Sequence, residues 1–116
     1  MRRVELGKKG ETLARRYLVS KGYTIIDTNY RSKYGEIDII CEDGETVVFV
    51  EVKSRTSDVF GNPAESVNWQ KQKRLHRLAE DYLIGHKLEL RPVRFDVLSL
   101  LFLPDNVEIE HIQGAF

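Results

Sequence analysis

The sequence predicts an α/β domain: a mixed sheet of about four to five strands flanked by helices, in the order αβββαββ. Three observations predict it. Residues 5–21 and 63–85 carry apolar side chains at helical spacing, while the segments between and after them are rich in β-branched and aromatic residues. An Asp43-Gly44 pair separates two of those segments, the mark of a tight hairpin. The second helical segment stands between the third and fourth strands, and a strand–helix–strand crossover makes such strands parallel.

The first helix, "ELGKKGETLARRYLVSK" (5–21), has Leu6, Leu13, Ala14, Tyr17 and Leu18 in helical period, and Gly22 is placed to end it. Glu11 lies on the same stripe as Gly7, Ala14 and Leu18, an unusual border for a free carboxylate. "YTIIDTNYR", "GEIDIICE" and "TVVFVEVK" follow as three strands. "SRTSDVFGNPAE" reads as a polar surface loop, with Gly61 as a hinge. Asn62, Pro63 and Glu65 have the spacing of an N-cap, a first-turn proline and a capping-box return for a helix over 63–85. Its inward face carries Val67, Leu75, Leu78, Ala79, Tyr82 and Leu83. "PVRFDVLSLLF" is the fourth strand and "NVEIEHI" a fifth, at an edge.

A chain of 116 residues suits one domain spanning 1–116. A lone cysteine, Cys41, excludes an intrachain disulfide and agrees with a reducing compartment. No apolar run approaches the roughly 20 residues that span a bilayer, and the basic start has no apolar h-region behind it. A cytoplasmic location is expected. The net charge is zero, yet residues 1–35 hold nine Lys and Arg against three Asp and Glu, and residues 69–94 hold seven against three. Two basic regions therefore flank an acidic centre, a distribution suited to a polyanion around a cation site and equally to a solvated surface.

The acids inside "EIDIICEDGETVVFVEVK" carry the chemistry. A two-residue turn at Asp43-Gly44 pairs Glu42 with Glu45, Ile40 with Val47, Asp38 with Phe49 and Glu36 with Glu51. One face then carries Glu36, Asp38, Ile40, Val47, Phe49, Glu51 and Lys53. The other, with Ile37, Ile39, Cys41, Thr46, Val48, Val50 and Val52, is almost wholly apolar. Asp38 and Glu51 become diagonal neighbours, roughly 7 Å apart at Cβ. Carboxylates gathered at partial burial repel one another and need a cation among them; Lys53 neutralises one charge and a divalent ion more. Mg²⁺ or Mn²⁺ bound there would polarise a phosphoryl oxygen and acidify a water. A Glu-x-Lys salt bridge on a solvated sheet face is the plainer alternative.

These residues resemble a family. An Asp ending one strand, Glu-x-Lys ending the next and a Glu on the preceding helix look like the PD-(D/E)xK nuclease superfamily, with its restriction-endonuclease-like fold. "GKKGETLARRYLVSKGYTIIDTNYR", "GEIDII", "VFVEVKSR", Ala64 to Val67 with Lys71, and "RFDV" look more narrowly like the YraN-like family of uncharacterised bacterial proteins, related to archaeal Holliday-junction resolvases. The resemblance runs from Gly7 to about Val97. It implies Asp38 and Glu51 as metal-ligating acids, Glu11 as the helix-borne acid beside the metal and Lys53 as the catalytic lysine. Ile37 stands where a proline precedes the Asp of the superfamily pattern. A dimer is implied by the resolvase relatives.

Glu36 has two readings, a supporting or alternative metal ligand and a salt-bridge partner of Arg31 or Lys33. Lys71, Lys73, Arg74 and Arg77 on the second helix, with Arg55, suit phosphate contacts; a solvated helix face reads the same way. Of these Lys71 is best placed to reach the acids. Trp69 is expected to pack rather than stack on bases. His76, His86 and His111 show no metal spacing and no nucleophile partner, and read as incidental. The sequence thus supports a metal-dependent endodeoxyribonuclease acting on structured or branched DNA, or a catalytically inactive module of the same fold that binds nucleic acid or a partner.

Overall fold

The computed structural model describes residues 2–56 and 67–116. The elements follow in the order α1 (Arg3–Ser20), β1 (Thr24–Ser32), β2 (Gly35–Asp43), β3 (Thr46–Arg55), α2 (Trp69–Gly85), β4 (Val93–Phe102) and β5 (Val107–Ile112). The five strands form one sheet in chain order, β1-β2-β3-β4-β5. β3 and β4 run parallel; the other three pairs are antiparallel. The expected mixed sheet, its order αβββαββ and the parallel crossover are therefore observed.

Each helix covers one face of the sheet. Ala14 and Leu18 of α1 pack with Ile39, Cys41, Val48, Val50, Leu98 and Leu100. Leu75, Leu78, Ala79 and Tyr82 of α2 pack with Ile40, Val47, Phe49 and Val97 on the other side. Alternate side chains of the central strands thus go to opposite layers, so β3 and β4 read as continuous apolar runs. Burying each large aliphatic side chain stabilises the fold by about 1.5–3 kcal/mol. Gly22, at φ 90°, ends α1 in a conformation that suits glycine.

Four details differ from the sequence reading. The hairpin turns at Gly44-Glu45, with Asp43 opposite Thr46 and Glu42 opposite Val47. Gly44 has φ 61° and Asp43 is not among the positive-φ residues, so only the glycine enters the left-handed region. Every pairing consequently moves by two residues, which keeps each side chain on its face but changes its level. β2 also breaks its alternation: Ile37 joins Ile40 on the α2 side, and the ladder with β3 stops at Ile39 opposite Val50. β3 continues through Ser54 and Arg55, pairing with Leu100 and Leu101, where a loop was expected. Finally, α2 begins at Trp69 with Asn68 as its cap, the Asn68 Oδ1 accepting from Lys71 N–H at 2.9 Å. The proposed Asn62-Pro63-Glu65 box and the Gly61 hinge lie outside the described residues. No helix among the described residues is long and apolar enough to cross a membrane.

Candidate metal and phosphate site

Two elements bring three carboxylates together. Glu11 comes from α1, next to the buried Gly10, and Glu36 and Asp38 come from the first half of β2. One oxygen of each lies within 4.8 Å of the others. Asp38 owes its place to the departure of β2 from β3. Beyond Ile39 the ladder ends, and the Asp38 carboxylate accepts the Val52 N–H of β3 at 2.8 Å. The expected diagonal pairing of Asp38 with Glu51 is not part of the ladder, which ends at Ile39 opposite Val50. Burial pushes the Asp38 carboxyl up to about 7, and the charges of Glu51, Glu11 and Glu36 add to that.

Glu36 faces Arg31 rather than Glu51 in the sheet, and its Oε2 accepts from Arg31 Nε at 3.1 Å. It therefore serves both as a salt-bridge partner and as a member of the acidic trio. Glu51, only 8% exposed, stands outside that trio. Its Oε1 accepts from Lys71 Nζ at 2.7 Å and lies 3.6 Å from Lys53 Nζ. Burial lowers the Lys53 pKa, and neighbouring Lys71 lowers it further. Burial alone would lower Lys71 too, but the bond to Glu51 and its charge, with Lys53 and Asp38, together outweigh that and raise it. The two lysines share one carboxylate, and Lys71 holds the shorter bond.

The polar groups open on both sides of the sheet end. A cavity of about 270 Å³ is lined on the α2 side by Tyr34, Glu36, Asp38, Glu51, Lys71 and Arg74, among others. A second, of about 260 Å³, lies on the α1 side against Arg3, Glu11, Lys53 and Ser54. The remaining basic residues expected to meet phosphates are spread more widely. Lys73 Nζ sits 4.6 Å from the Trp69 ring centre. Arg77 donates to the Tyr34 hydroxyl at 2.9 Å and lies 3.7 Å from Asp81. Arg55 closes β3 opposite Leu101. Trp69 is 67% exposed, so the expected packing role is corrected. It occupies the first turn of α2, where its side chain faces solvent beside Lys73.

A second polar cluster escaped the sequence reading. Asp96 of β4 is fully buried and accepts from Arg94 at 2.9 and 3.1 Å, from Gly114 N–H at 3.1 Å and from His111 Nε2 at 2.7 Å. Arg94 also reaches Asp43 and the Tyr23 hydroxyl, and edge-on Tyr17 and Tyr23 rings flank His111. Burial works to raise the Asp96 pKa, but His111 and Arg94 outweigh it and hold the carboxyl below its ordinary value. His111, read from the sequence as incidental, is paired with Asp96 across β4 and β5. A buried aspartate in an apolar strand was the available signal. Cys41 is core, as expected, and burial pushes its thiol up to about 12.

The model of the family described as "Uncharacterised protein family UPF0102" matches residues 10–100. The chain belongs to UPF0102. A UPF0102 protein of Thermodesulfovibrio yellowstonii is 51% identical over 116 residues, covering 100% of this chain and 99% of the relative. One from Alkaliphilus metalliredigens is 48% identical over 111 residues, covering 96% of each. Another, from Anaeromyxobacter dehalogenans, is 42% identical over 98% of this chain and 85% of its own. The span that defines UPF0102 begins at Gly10 and includes Glu11, Glu36, Asp38, Glu51, Lys53 and Lys71.

Proposed function

We propose that this UPF0102 chain is a metal-dependent endodeoxyribonuclease that hydrolyses phosphodiester bonds in structured or branched DNA. The observation that carries the reading is the convergence of Glu11, Glu36 and Asp38 within 4.8 Å, beside the Glu51–Lys53–Lys71 group. The donor set is all carboxylate oxygen, partly buried and mutually repelling, which fits a hard divalent ion such as Mg²⁺ or Mn²⁺. Such an ion, when bound, supplies a Lewis acid for a phosphoryl oxygen and lowers the pKa of a water.

The remaining work falls to the chain's own groups. Asp38, held by the Val52 N–H, offers a fixed carboxylate. Glu11 and Glu36 complete the trio that would hold the ion, and Glu51 would be available to it as a further ligand only where Lys71 paired with a phosphate instead. Lys53, with its lowered pKa, orients the attacking water or meets the developing negative charge. Lys71 and Arg74 line the cavity where the adjoining backbone would run, and Lys73, Arg77 and Arg55 extend the cationic surface. The superfamily likeness supports the PD-(D/E)xK assignment, with DNA as the polyanion and a homodimer as the acting form.

One observation favours a second reading. Lys71 already fills a ligating oxygen of Glu51, which suits an inactive module that binds nucleic acid or a partner and keeps its acids neutralised from within. Labelled junction, duplex and single-stranded DNA, with an RNA control, decide between them when incubated with Mg²⁺ or Mn²⁺. Cleavage abolished by Glu51→Gln and by Lys53→Ala supports the nuclease. Salt-sensitive binding without turnover, or equal cleavage by wild type and both variants, removes it.

A further inference from the structure

Gly10 is a buried glycine in the interior of α1, and its backbone has no positive φ to justify it. Glycine there costs about 1 kcal/mol of helix stability against alanine. Its use lies in what it faces. A Cβ at Gly10 would stand 1.7 Å from Ser54 Oγ and 3.0 Å from Ser54 Cβ, where ordinary carbon contacts are about 3.5–4.0 Å. Gly7, one turn earlier, has nothing within 4 Å of the same added carbon. The close approach is therefore specific to Gly10 and to the end of β3. Among the described residues Ser54 Oγ is buried there without a hydrogen-bond partner.

We propose that Gly10 is the positioning residue of the acidic cluster: its missing side chain seats α1 on Ser54, and that seat sets where the Glu11 carboxylate stands. The inference rests on the metal reading of the cluster. Glu11 is the trio's only member from a helix, so its distance to Glu36 and Asp38 depends on how closely α1 approaches the sheet. A methyl group at position 10 must turn the Ser54 hydroxyl aside and still meets the Ser54 Cβ at 3.0 Å, so the helix or the strand has to give by a few tenths of an ångström. A shift of that size uses up most of the roughly 0.5 Å within which ligands have to be held to meet on one ion.

The test is Mn²⁺ titration, read by electron paramagnetic resonance, on wild type, Gly10→Ala, Gly7→Ala, Glu11→Gln and the double variant Gly10→Ala with Ser54→Gly. Thermal unfolding reports folding for each. Gly10→Ala should weaken Mn²⁺ binding about tenfold or more, as Glu11→Gln does. Gly7→Ala should leave it alone, and removing the Ser54 side chain should restore it. Ser54→Val narrows the same gap from the strand and should weaken binding even if Gly10→Ala does not fold. Wild-type affinity in Gly10→Ala beside weak binding in Glu11→Gln overturns the proposal, as does a double variant that folds yet stays weak. If wild type binds no Mn²⁺, the metal reading fails, and crystal structures of Gly10→Ala and Ser54→Val still decide the seat. A Glu11 carboxylate left beside Asp38 overturns it, and one carried away supports it.

Discussion

Lys71 Nζ of α2 lies 2.7 Å from Glu51 Oε1 of β3, so the second helix and the central strand meet through a largely buried ion pair. The pair links the cap of α2 to the acidic end of the sheet, because Asn68 accepts the Lys71 N–H one turn earlier. Lys71→Met should leave Glu51 with the longer Lys53 contact alone. We expect a loss of about 1–2 kcal/mol, between the limits for exposed and fully buried pairs. Urea unfolding measures it, and an unchanged midpoint would show that the pair adds nothing.

Asp38 gives a pH dependence of the opposite kind to most acids. Its carboxyl rises from 3.8 to about 7 on folding, so the folded chain binds the proton more tightly. The penalty is absent below the ordinary value, grows as pH rises between the two, and is complete above about 7. Asp38→Asn should therefore stabilise the metal-free protein at pH 8, by about 1–4 kcal/mol, and change little near pH 4. Unfolding curves at the two pH values check this. A variant destabilised equally at both would refute it.

Asp96 should behave in the reverse sense. Its carboxyl is held below the ordinary value, so it contributes stability above that value and loses it as pH falls through the folded pKa. Asp96→Ala should cost about 3–5 kcal/mol at neutral pH, because His111 and Arg94 would remain without their buried partner. The difference from wild type should shrink in acid. Paired calorimetric scans at pH 7 and near pH 3 measure both.

Gly44 offers a test of the hairpin. Its φ of 61° makes an alanine there strained, at a cost of about 1 kcal/mol. Gly44→Asn, which tolerates that region better, should recover part of the loss. Equal stability of the two variants would place the strain elsewhere.

The fold was legible where one period dominated. The apolar runs of β3 and β4 and the 3.6-residue stripe of α2 marked the layers, since each face of the sheet has its own helix to bury against. The hairpin was less so, because Asp43-Gly44 and Gly44-Glu45 are both two-residue turns. Only the backbone cost at Asp43 separates them. The acids were visible as a group, but their levels depended on that register. Glu36 entered the trio through its β1 pairing and the break after Ile39, neither of which a strand pattern encodes. His111 and Asp96 are 15 residues apart on adjacent strands, so no local spacing joins them. Gly10 did leave a trace: a glycine inside a helical pattern signals a packing reason.

The parallel pairing has a kinetic consequence. β1, β2 and β3 are joined by short turns, whereas Val47 meets Val93 only after 46 intervening steps of chain, and the same separation holds to Arg55 and Leu101. Local contacts close quickly and distant ones slowly. We expect the three-strand meander to form first, carrying Glu36, Asp38, Glu51 and Lys53 on one early scaffold. Mutations in β4 should then speed unfolding more than they slow folding, and a β4 series with folding rates reduced in full proportion to stability would contradict this. On that order, the strand-borne acids are gathered before the sheet is complete, and the chain meets their mutual repulsion early on its way to the native state.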